Sequence, residues 1–200
     1  PDTLFYPEPH IPLEEFPKEL DWSHHGLLCN VPLAEAIKQV VDIPIMTVAG
    51  FDADSAEEVL SEGKADLIGF NRRLFADTEY FNKIREGRTG DIQPCTKCGN
   101  CSSTYNEPRK CRINACFGTE RYDFAPAAEV KKKVLVVGGG PAGMQAARVA
   151  AERGHHVTLW EKGKYLGGSM SLAAMVKGFD VEDVREVIWF YRRQVRRTGV

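Results

Sequence analysis

The chain has 200 residues, of which 43% are hydrophobic and 27% charged, a composition that suits one globular domain or two small ones. Basic and acidic residues nearly balance at a net charge of −2, which argues against a nucleic-acid partner because such partners require basic surfaces. No apolar stretch approaches the roughly 20 residues of a membrane-spanning helix, and the first residues resemble no signal peptide.

The first half of the chain reads as alternating helices and strands after an aperiodic opening. Residues 1–30 show no clear period, and we expect a long loop there. PLAEAIKQVV at 32–41 then predicts a helix with one apolar face, formed by Leu33, Ile37, Val40 and Val41. The apolar runs DIPIMTVAGF and ADLIGF predict parallel strands that are buried on both faces. This order indicates βα units of a parallel sheet.

Helix-capping residues punctuate the same region. Asp52 and Asp77 are predicted to cap the starts of two helices, and Gly63 and Gly87 are predicted to close them.

A second α/β stretch follows the three lysines at 131–133, where we expect a domain boundary. VLVVGGGPAGMQAARVAAERG predicts a strand, a tight turn and a helix, and HHVTLWE predicts the next strand. The segment VEDVREVIWFYRRQVRRTG predicts an amphipathic helix whose apolar stripe comprises Val184, Ile188, Tyr191 and Val195.

The turn at 138–143 carries a dinucleotide-binding fingerprint. Gly138, Gly140 and Gly143 satisfy GxGxxG, with Pro141 and Ala142 between them, directly after a strand and at the start of a helix. In this motif the first glycine allows the turn, the second lets the backbone approach a pyrophosphate, and the third allows close helix–strand packing. The alternative is a doubly wound domain with a glycine turn and no ligand.

An acidic residue and a second pair of glycines extend the motif. Glu161 ends the second strand, where an acid can bind ribose hydroxyls. Gly167 and Gly168 follow within seven residues, an arrangement similar to flavoproteins with two dinucleotide-binding domains, in which it accompanies FAD. An ordinary tight loop is the alternative for the glycine pair alone.

Five of the six cysteines cluster between the two α/β stretches, at positions 95, 98, 101, 111 and 116. Clustered cysteines without a secretory signal favour a metal or cluster site in a reducing compartment, so we expect the cytoplasm. The spacing Cys95-x2-Cys98-x2-Cys101 with a distant fourth cysteine favours a [4Fe–4S] cluster over structural zinc. Spacing alone leaves Cys111 and Cys116 both open as the fourth ligand.

Polar groups at the ends of the first two predicted strands form another candidate site. Gly50 follows one strand, and Gly69, Asn71 and Arg72 follow the next. In a (β/α)8 barrel, loops after the last two strands commonly bind a phosphate. Backbone N–H groups and the Arg72 guanidinium would suit the phosphate of FMN, although a loop arginine is often simply solvated.

Together these segments resemble the NADH:flavin oxidoreductases of the old yellow enzyme superfamily, specifically the 2,4-dienoyl-CoA reductase, 2-enoate reductase and trimethylamine dehydrogenase group. The resemblance rests on DIPIMTVAGFDADSAEEVLSEGKADLIGFNRRLFAD, IREGRTGDIQPCTKCGNC and KKKVLVVGGGPAGMQAARVAAERGHHVTLWEKGKYLGG, in that order, and covers residues 31–200. It implies an internal stretch of a longer α/β protein. The implied layout is the C-terminal part of a TIM (β/α)8 barrel at 1–94, an iron–sulfur loop and linker at 95–130, and the start of a Rossmann-like FAD-binding domain at 131–200.

The resemblance also implies site residues. The segment CRINACFGTE matches the family's frame after the fourth cluster cysteine, which makes Cys111 the implied ligand and Cys116 the spare. The family's catalytic tyrosine lies outside this sequence. His10 is a candidate for the proton-donating histidine of the reductases, with a solvated loop histidine as the alternative.

The activity implied is transfer of electrons from NAD(P)H through FAD and the [4Fe–4S] cluster to FMN, which reduces an activated C=C bond of a small-molecule substrate. The alternative is an amine dehydrogenase similar to trimethylamine dehydrogenase, which passes electrons outward to a carrier protein; the C-x2-C-x2-C spacing resembles that enzyme. A non-enzymatic module with structural zinc is the third alternative. A homo-oligomer and an electron carrier protein stay open as partners.

Overall fold

A computed structural model describes residues 28–48, 50–101, 109–118, 126–175 and 182–200. His10 lies outside the described residues. The chain divides into two compact units, Pro1–Arg72 and Arg73–Val200, and in each of them two parallel strands pack with helices. Both units are therefore α/β, as the sequence predicts. No helix within the described part of the chain has the length and apolar character needed to cross a bilayer.

The first unit contains two βα repeats. Its elements are α1 (Val31–Lys38), β1 (Met46–Thr47), α2 (Ala53–Ser61) and β2 (Leu67–Ile68). Strands β1 and β2 run parallel, with Met46 opposite Leu67 and Thr47 opposite Ile68. A small core fills the space between the helices and the strands, and it comprises Val31, Phe51, Ala56, Val59 and Ala65.

The predicted apolar face of α1 and the predicted burial of the strands are wrong in this structure. Leu33 and Ile37 are exposed, and Val31 and Ala34 are the residues that α1 buries. Met46 in β1 is 62% exposed, whereas Thr47 is buried. The physical reason is that, among the described residues, this sheet has only two strands. Each strand therefore lacks a neighbour along one edge, and the apolar side chains on the outer surfaces have no layer to pack against.

Capping chemistry at α2 agrees with the prediction. The Asp52 carboxylate accepts a hydrogen bond from the Ser55 N–H at 2.9 Å, and the Ser55 hydroxyl accepts one from the Asp52 N–H at 3.1 Å. This reciprocal capping box satisfies backbone donors that the helix itself cannot pair. Gly63 follows the helix with a φ of 72°, the left-handed conformation expected after a helix end.

The second unit begins with short helical segments and continues as strand, helix, strand and helix. Helix α3 (Arg72–Ala76) begins at the last residue of the first unit and continues into the second. The further elements of the second unit are α4 (Tyr80–Arg85), a 3₁₀ turn (Thr89–Asp91), β3 (Lys133–Val137), α5 (Pro141–Glu152), β4 (His156–Trp160), α6 (Ser169–Ala173) and α7 (Glu182–Arg197). Strands β3 and β4 are parallel and in register from Lys133 opposite His156 to Val137 opposite Trp160.

Helix α7 packs on α5 through its apolar stripe. Ile188, Tyr191 and Val195 are buried, as their helical spacing predicts. The core of this unit joins Met144 of α5 to α7, and it comprises Met144, Val187, Phe190, Tyr191 and Val195. This packing fixes α7 behind the turn that follows β3.

The predicted cap at Asp77 is present in part, because the Asp77 carboxylate accepts the Glu79 N–H at 3.0 Å just before α4, although Asp77 is not the residue next to the helix. The helix starts at Tyr80, and Glu79 precedes it without a side-chain cap. The additional helix α3, which the sequence analysis did not predict, ends at Ala76. Asp77 therefore lies buried in the connection between two helices, where its carboxylate has other partners.

Candidate functional site

The turn after β3 forms an open niche lined by backbone. Gly138 has a φ of 105°, which favours glycine, and its N–H donates to the Trp160 carbonyl at 2.7 Å. A Cβ on Gly140 would meet no atom within 4 Å, whereas one on Gly143 would collide with the Gly138 carbonyl oxygen. Gly143 thus permits close packing of α5 on the turn, and the space beside Gly140 stays open at the start of a 12-residue helix. Helix N–H groups and the positive end of the dipole suit a pyrophosphate there.

The Glu161 carboxylate braces this turn. Its two oxygens accept hydrogen bonds from the Gly139 N–H at 2.6 Å and the Gly163 N–H at 2.7 Å. The Gly163 and Gly139 donors lower the pKa of Glu161 below the usual carboxylate value. The residue is therefore an ionised acceptor at the end of β4, the form that binds ribose hydroxyl groups.

The second glycine pair lies against the same turn. The Gly167 N–H donates to the Gly139 carbonyl at 2.7 Å. Gly168 has a φ of 53°, and a Cβ placed on it would lie 3.1 Å from the Gly140 Cα. The structure therefore brings the turn at 138–143, Glu161 and the pair Gly167 and Gly168 together, although Gly138 and Gly168 are 30 positions apart in the sequence.

The predicted phosphate residues of the first unit share one edge of its sheet. Because β1 and β2 are parallel, Gly50 and the segment 69–72 follow the same ends of both strands. Gly50 has a φ of 75°, and the Gly69 N–H donates to the Thr47 carbonyl at 2.8 Å. A Cβ on Gly69 would collide with the Val48 side chain. These glycines are thus needed for the backbone path at this edge.

Two residues near that edge, Thr47 and Arg72, each have a buried polar side-chain atom. The terminal Nη1 nitrogen of Arg72 is buried, which strengthens any interaction it makes with a charged oxygen. The Thr47 hydroxyl is also buried, and it has no hydrogen-bond partner among the described residues. Asn71 is exposed at the same edge. The sequence analysis did not single out Thr47, because one threonine within an apolar strand belongs to no recognisable motif.

The structure does not gather the predicted cluster ligands. Cys101 is buried, Cys98 is exposed, and Cys95 and Cys111 are half-buried. In the described ranges, no three His, Cys, Asp or Glu side chains are grouped as a metal ion requires. The donor set nevertheless fits iron–sulfur chemistry, since four thiolates on one short segment are the ligands of a [4Fe–4S] cluster. The assignment stays a prediction from residue type and spacing.

The segment around Cys111 is fixed by contacts that the sequence did not reveal. The Asn114 side-chain amide donates to the Phe75 carbonyl at 2.9 Å, and its oxygen accepts from the Cys116 N–H at 2.9 Å. The Phe75 and Phe117 rings lie 4.7 Å apart. Burial raises the pKa of Tyr191, the Arg148 guanidinium opposes that rise, and Cys111 adds a smaller upward contribution. Cys111 is thus close to the core of the second unit.

Asp77 anchors the approach to the cysteines. Its carboxylate accepts hydrogen bonds from the Glu79 N–H at 3.0 Å, the Gln93 N–H at 2.7 Å and the Lys83 ammonium at 2.6 Å. Gln93 lies two residues before Cys95, so this buried carboxylate fixes the backbone that leads into the cysteine segment. No sequence pattern distinguishes such a residue from a helix cap.

In both α/β units, glycines follow the ends of parallel strands, an arrangement typical of sites that bind phosphate and dinucleotide groups. Residues 18–91 match the NADH:flavin oxidoreductase / NADH oxidase family, and residues 133–198 match the FAD dependent oxidoreductase family. These matches and the relatives below confirm the resemblance to the NADH:flavin oxidoreductases that the motifs predict. These matches also confirm flavins and NADH as cofactors of the group, whereas they do not show the [4Fe–4S] cluster directly.

Individual relatives cover several reactions. The chain is 43% identical over 196 residues to the NADH oxidase of Thermoanaerobacter brockii, covering 94% of this chain and 29% of the relative. It is 40% identical over 177 residues to the cinnamate reductase of Clostridium sporogenes, and this match covers 84% of this chain and 26% of the relative. The structure of histamine dehydrogenase from Rhizobium sp. 4-9 matches with a TM-score of 0.77 and 29% identity, and this match covers 86% of this chain and 26% of the dehydrogenase chain. The chain thus spans under a third of the length of these relatives.

Proposed function

We propose that the full-length protein is an NAD(P)H-dependent flavin oxidoreductase that reduces an activated C=C bond of an enoate or enoyl-CoA type. The observation that carries the proposal is the convergence of the glycine turn, Glu161 and the second glycine pair on one niche, joined by hydrogen bonds at Gly139. The similarity to a cinnamate reductase supports the substrate class.

The proposed domain layout follows the family. Residues 1–94 are the C-terminal part of an FMN-binding (β/α)8 barrel, residues 95–130 are the cluster loop and linker, and residues 131–200 begin a Rossmann-like FAD-binding domain. The parallel strands of each unit and the family matches at 18–91 and 133–198 support this layout. We further propose a cytoplasmic location, a nicotinamide cofactor and a small-molecule substrate.

In the second unit, the chain's own groups would bind and orient the dinucleotide. The N–H groups at the start of α5 would bind the pyrophosphate beside Gly140, where the structure leaves open space. The Glu161 carboxylate, ionised and fixed at the end of β4, would accept hydrogen bonds from the ribose. Gly167 and Gly168 would let a second stretch of backbone approach the same ligand.

In the first unit, Arg72 would neutralise the FMN phosphate, with backbone N–H groups around Gly50 and Asn71 completing the site and Gly69 shaping the backbone beside it. Cys95, Cys98, Cys101 and Cys111 would hold the [4Fe–4S] cluster through their thiolates. When bound, the flavins and the cluster supply hydride and single-electron transfer, and the protein positions them and adjusts their electrostatic surroundings.

Analysis of the purified full-length protein tests the proposal. We expect FMN and FAD in equal amounts, four irons with acid-labile sulfide, and anaerobic oxidation of NADH or NADPH that depends on an added 2-enoate such as cinnamate. Zinc in place of iron and sulfide would contradict the cluster assignment and favour a structural module. Absence of both flavins after reconstitution would contradict the enzyme class.

A second candidate is an amine dehydrogenase that passes electrons outward to a carrier protein. The structural match to histamine dehydrogenase and the C-x2-C-x2-C spacing favour it. The same preparation separates the two functions, because this alternative expects an amine, such as histamine or dimethylamine, to bleach the flavin without any nicotinamide. Bleaching by NADH followed by reoxidation with the enoate would favour the reductase.

A further inference from the structure

Arg192 makes a two-donor contact with the backbone of the second glycine loop. Its Nε donates to the Leu166 carbonyl oxygen at 2.9 Å, and its Nη2 donates to the same oxygen. Arg192 is half-buried on α7, and its neighbours Tyr191 and Val195 anchor that helix in the core. Because α7 is packed in the core, the guanidinium has a fixed position from which it binds the loop at Leu166.

The contacted carbonyl belongs to the peptide unit that joins Leu166 to Gly167. The N–H of that same unit donates to the Gly139 carbonyl at 2.7 Å. One planar peptide is thus held at both ends, by a charged side chain and by the glycine turn. A rotation of this plane would break both interactions at once, since the C=O and N–H of a peptide are rigidly opposed.

The two interactions also strengthen each other. A cation on a carbonyl oxygen polarises the peptide and makes its N–H a better donor, which is the usual cooperativity of hydrogen-bond chains. Gly139 also donates its own N–H, which belongs to the preceding peptide unit, to Glu161 at 2.6 Å. Arg192 is therefore connected through Leu166, Gly167 and Gly139 to the acidic residue of the niche.

We infer that Arg192 is a positioning residue of the dinucleotide site, which fixes the Gly167–Gly168 backbone beside Gly140 and so sets how tightly FAD is retained. The inference rests on the proposed function for the identity of the ligand. Without the guanidinium, the Leu166–Gly167 peptide can turn away from Gly139, and the backbone that should approach the pyrophosphate no longer has a fixed position. We expect FAD to be lost while FMN is retained.

The test compares Arg192→Met, which removes all donors, with Arg192→Lys, which keeps the charge but not the two-pronged geometry. Arg196→Met is the matched control, because Arg196 is exposed one turn further along the same helix. For each full-length variant, the FAD dissociation constant is measured after removal and titration of the flavin. The visible circular dichroism of bound FAD reports the geometry of the site, and the FMN content is an internal reference.

We expect Arg192→Met to weaken FAD binding about ten- to a hundred-fold, the range for loss of a hydrogen bond to a charged group. The FAD dissociation constant of Arg192→Lys should fall between those of Arg192→Met and wild type, and the visible circular dichroism of its bound FAD should be altered. The dissociation constant and the dichroism of Arg196→Met should match those of wild type. An FAD dissociation constant within about twofold of wild type in Arg192→Met would overturn the inference. If Arg192→Met does not fold, an unchanged constant and dichroism in Arg192→Lys would overturn it equally. A wild-type protein that binds no FAD would instead refute the proposed function, and the inference with it.

Discussion

The Glu161 carboxylate and the Gly139 N–H lie 2.6 Å apart, so the acidic residue at the end of β4 is bonded directly to the glycine turn after β3. Through this contact the proposed ribose-binding group also stabilises the backbone of the proposed pyrophosphate site. The ionisation state of Glu161 therefore affects both the geometry of the turn and the proposed ligand binding, which makes both depend on pH.

The first prediction concerns acid sensitivity. The folded pKa of Glu161 is lowered by the Gly163 and Gly139 N–H groups, so the ionised form is the one that stabilises the fold. Its contribution is fully present above the ordinary value of 4.5 and is lost as the pH falls through the lower folded value. We expect Glu161→Gln to reduce the melting temperature at pH 7 and the difference from wild type to vanish in acid. Thermal unfolding across pH measures this, with Glu186→Gln on the exposed face of α7 as the control. A difference that persists unchanged in acid would contradict the assignment.

The second prediction concerns Arg72 and FMN. Arg72→Ala in the full-length protein should weaken FMN retention about ten- to a hundred-fold, since a hydrogen bond to a charged group contributes roughly 1.5–3 kcal/mol. FAD and iron contents should not change. Flavin content after dialysis gives the measurement, with Arg85→Ala as the control because Arg85 lies exposed on α4. Unchanged FMN occupancy would remove Arg72 from the site.

The third prediction concerns the buried pair formed by Asp77 and Lys83. Their side chains are 4% and 18% exposed, and the carboxylate also accepts the Gln93 N–H. Asp77→Ala leaves a poorly solvated ammonium and removes the partner of two backbone donors, the Glu79 and Gln93 N–H groups, so we expect a loss of about 3–5 kcal/mol in the free energy of unfolding. Denaturant unfolding measures it, and Asp54→Ala at the exposed start of α2 is the control. Equal losses of stability from the two substitutions would show that the Asp77 carboxylate is not an important anchor of the fold.

The sequence predicted features whose cause is local. Asp52 and Gly63 act through capping chemistry that depends only on neighbouring residues. The glycine turn at 138–143 likewise follows from steric rules that a motif records. Asp77 shows the limit of this reasoning, because its residue type suits a cap and its role as a buried anchor depends on Gln93, 16 positions away.

The predicted burial of the strands and of α1 failed for a different reason. An apolar run indicates that a surface has to be covered, and it does not specify what covers it. Leu33 and Met46 are apolar in the sequence and exposed among the described residues. The contact from Arg192 to Leu166 is also invisible in the sequence, since an arginine on the polar side of an amphipathic helix is the ordinary pattern.

The fourth prediction concerns Asn114. Asn114→Ala removes the hydrogen bonds to the Phe75 carbonyl and from the Cys116 N–H, and we expect a loss of roughly 1–3 kcal/mol. Because these bonds fix the segment next to Cys111, iron content should fall as well. Iron and sulfide analysis with thermal unfolding provides the measurements, and Asn82→Ala on α4 is the control. Full iron content in Asn114→Ala would show that the segment keeps its position without this anchor.

The last prediction distinguishes the two cysteines that spacing left open. Serine at position 95, 98, 101 or 111 replaces a soft thiolate with a poor ligand for iron, so each of these four variants should lose iron and sulfide. Cys116→Ser should keep both near wild-type amounts, because its backbone N–H, and not its thiol, makes the bond to Asn114 that shapes the turn. FMN and FAD contents, measured in the same samples, show whether the rest of the protein is intact. If Cys116→Ser loses iron while Cys111→Ser keeps it, the ligand assignment is reversed and the family frame is misaligned over 111–120.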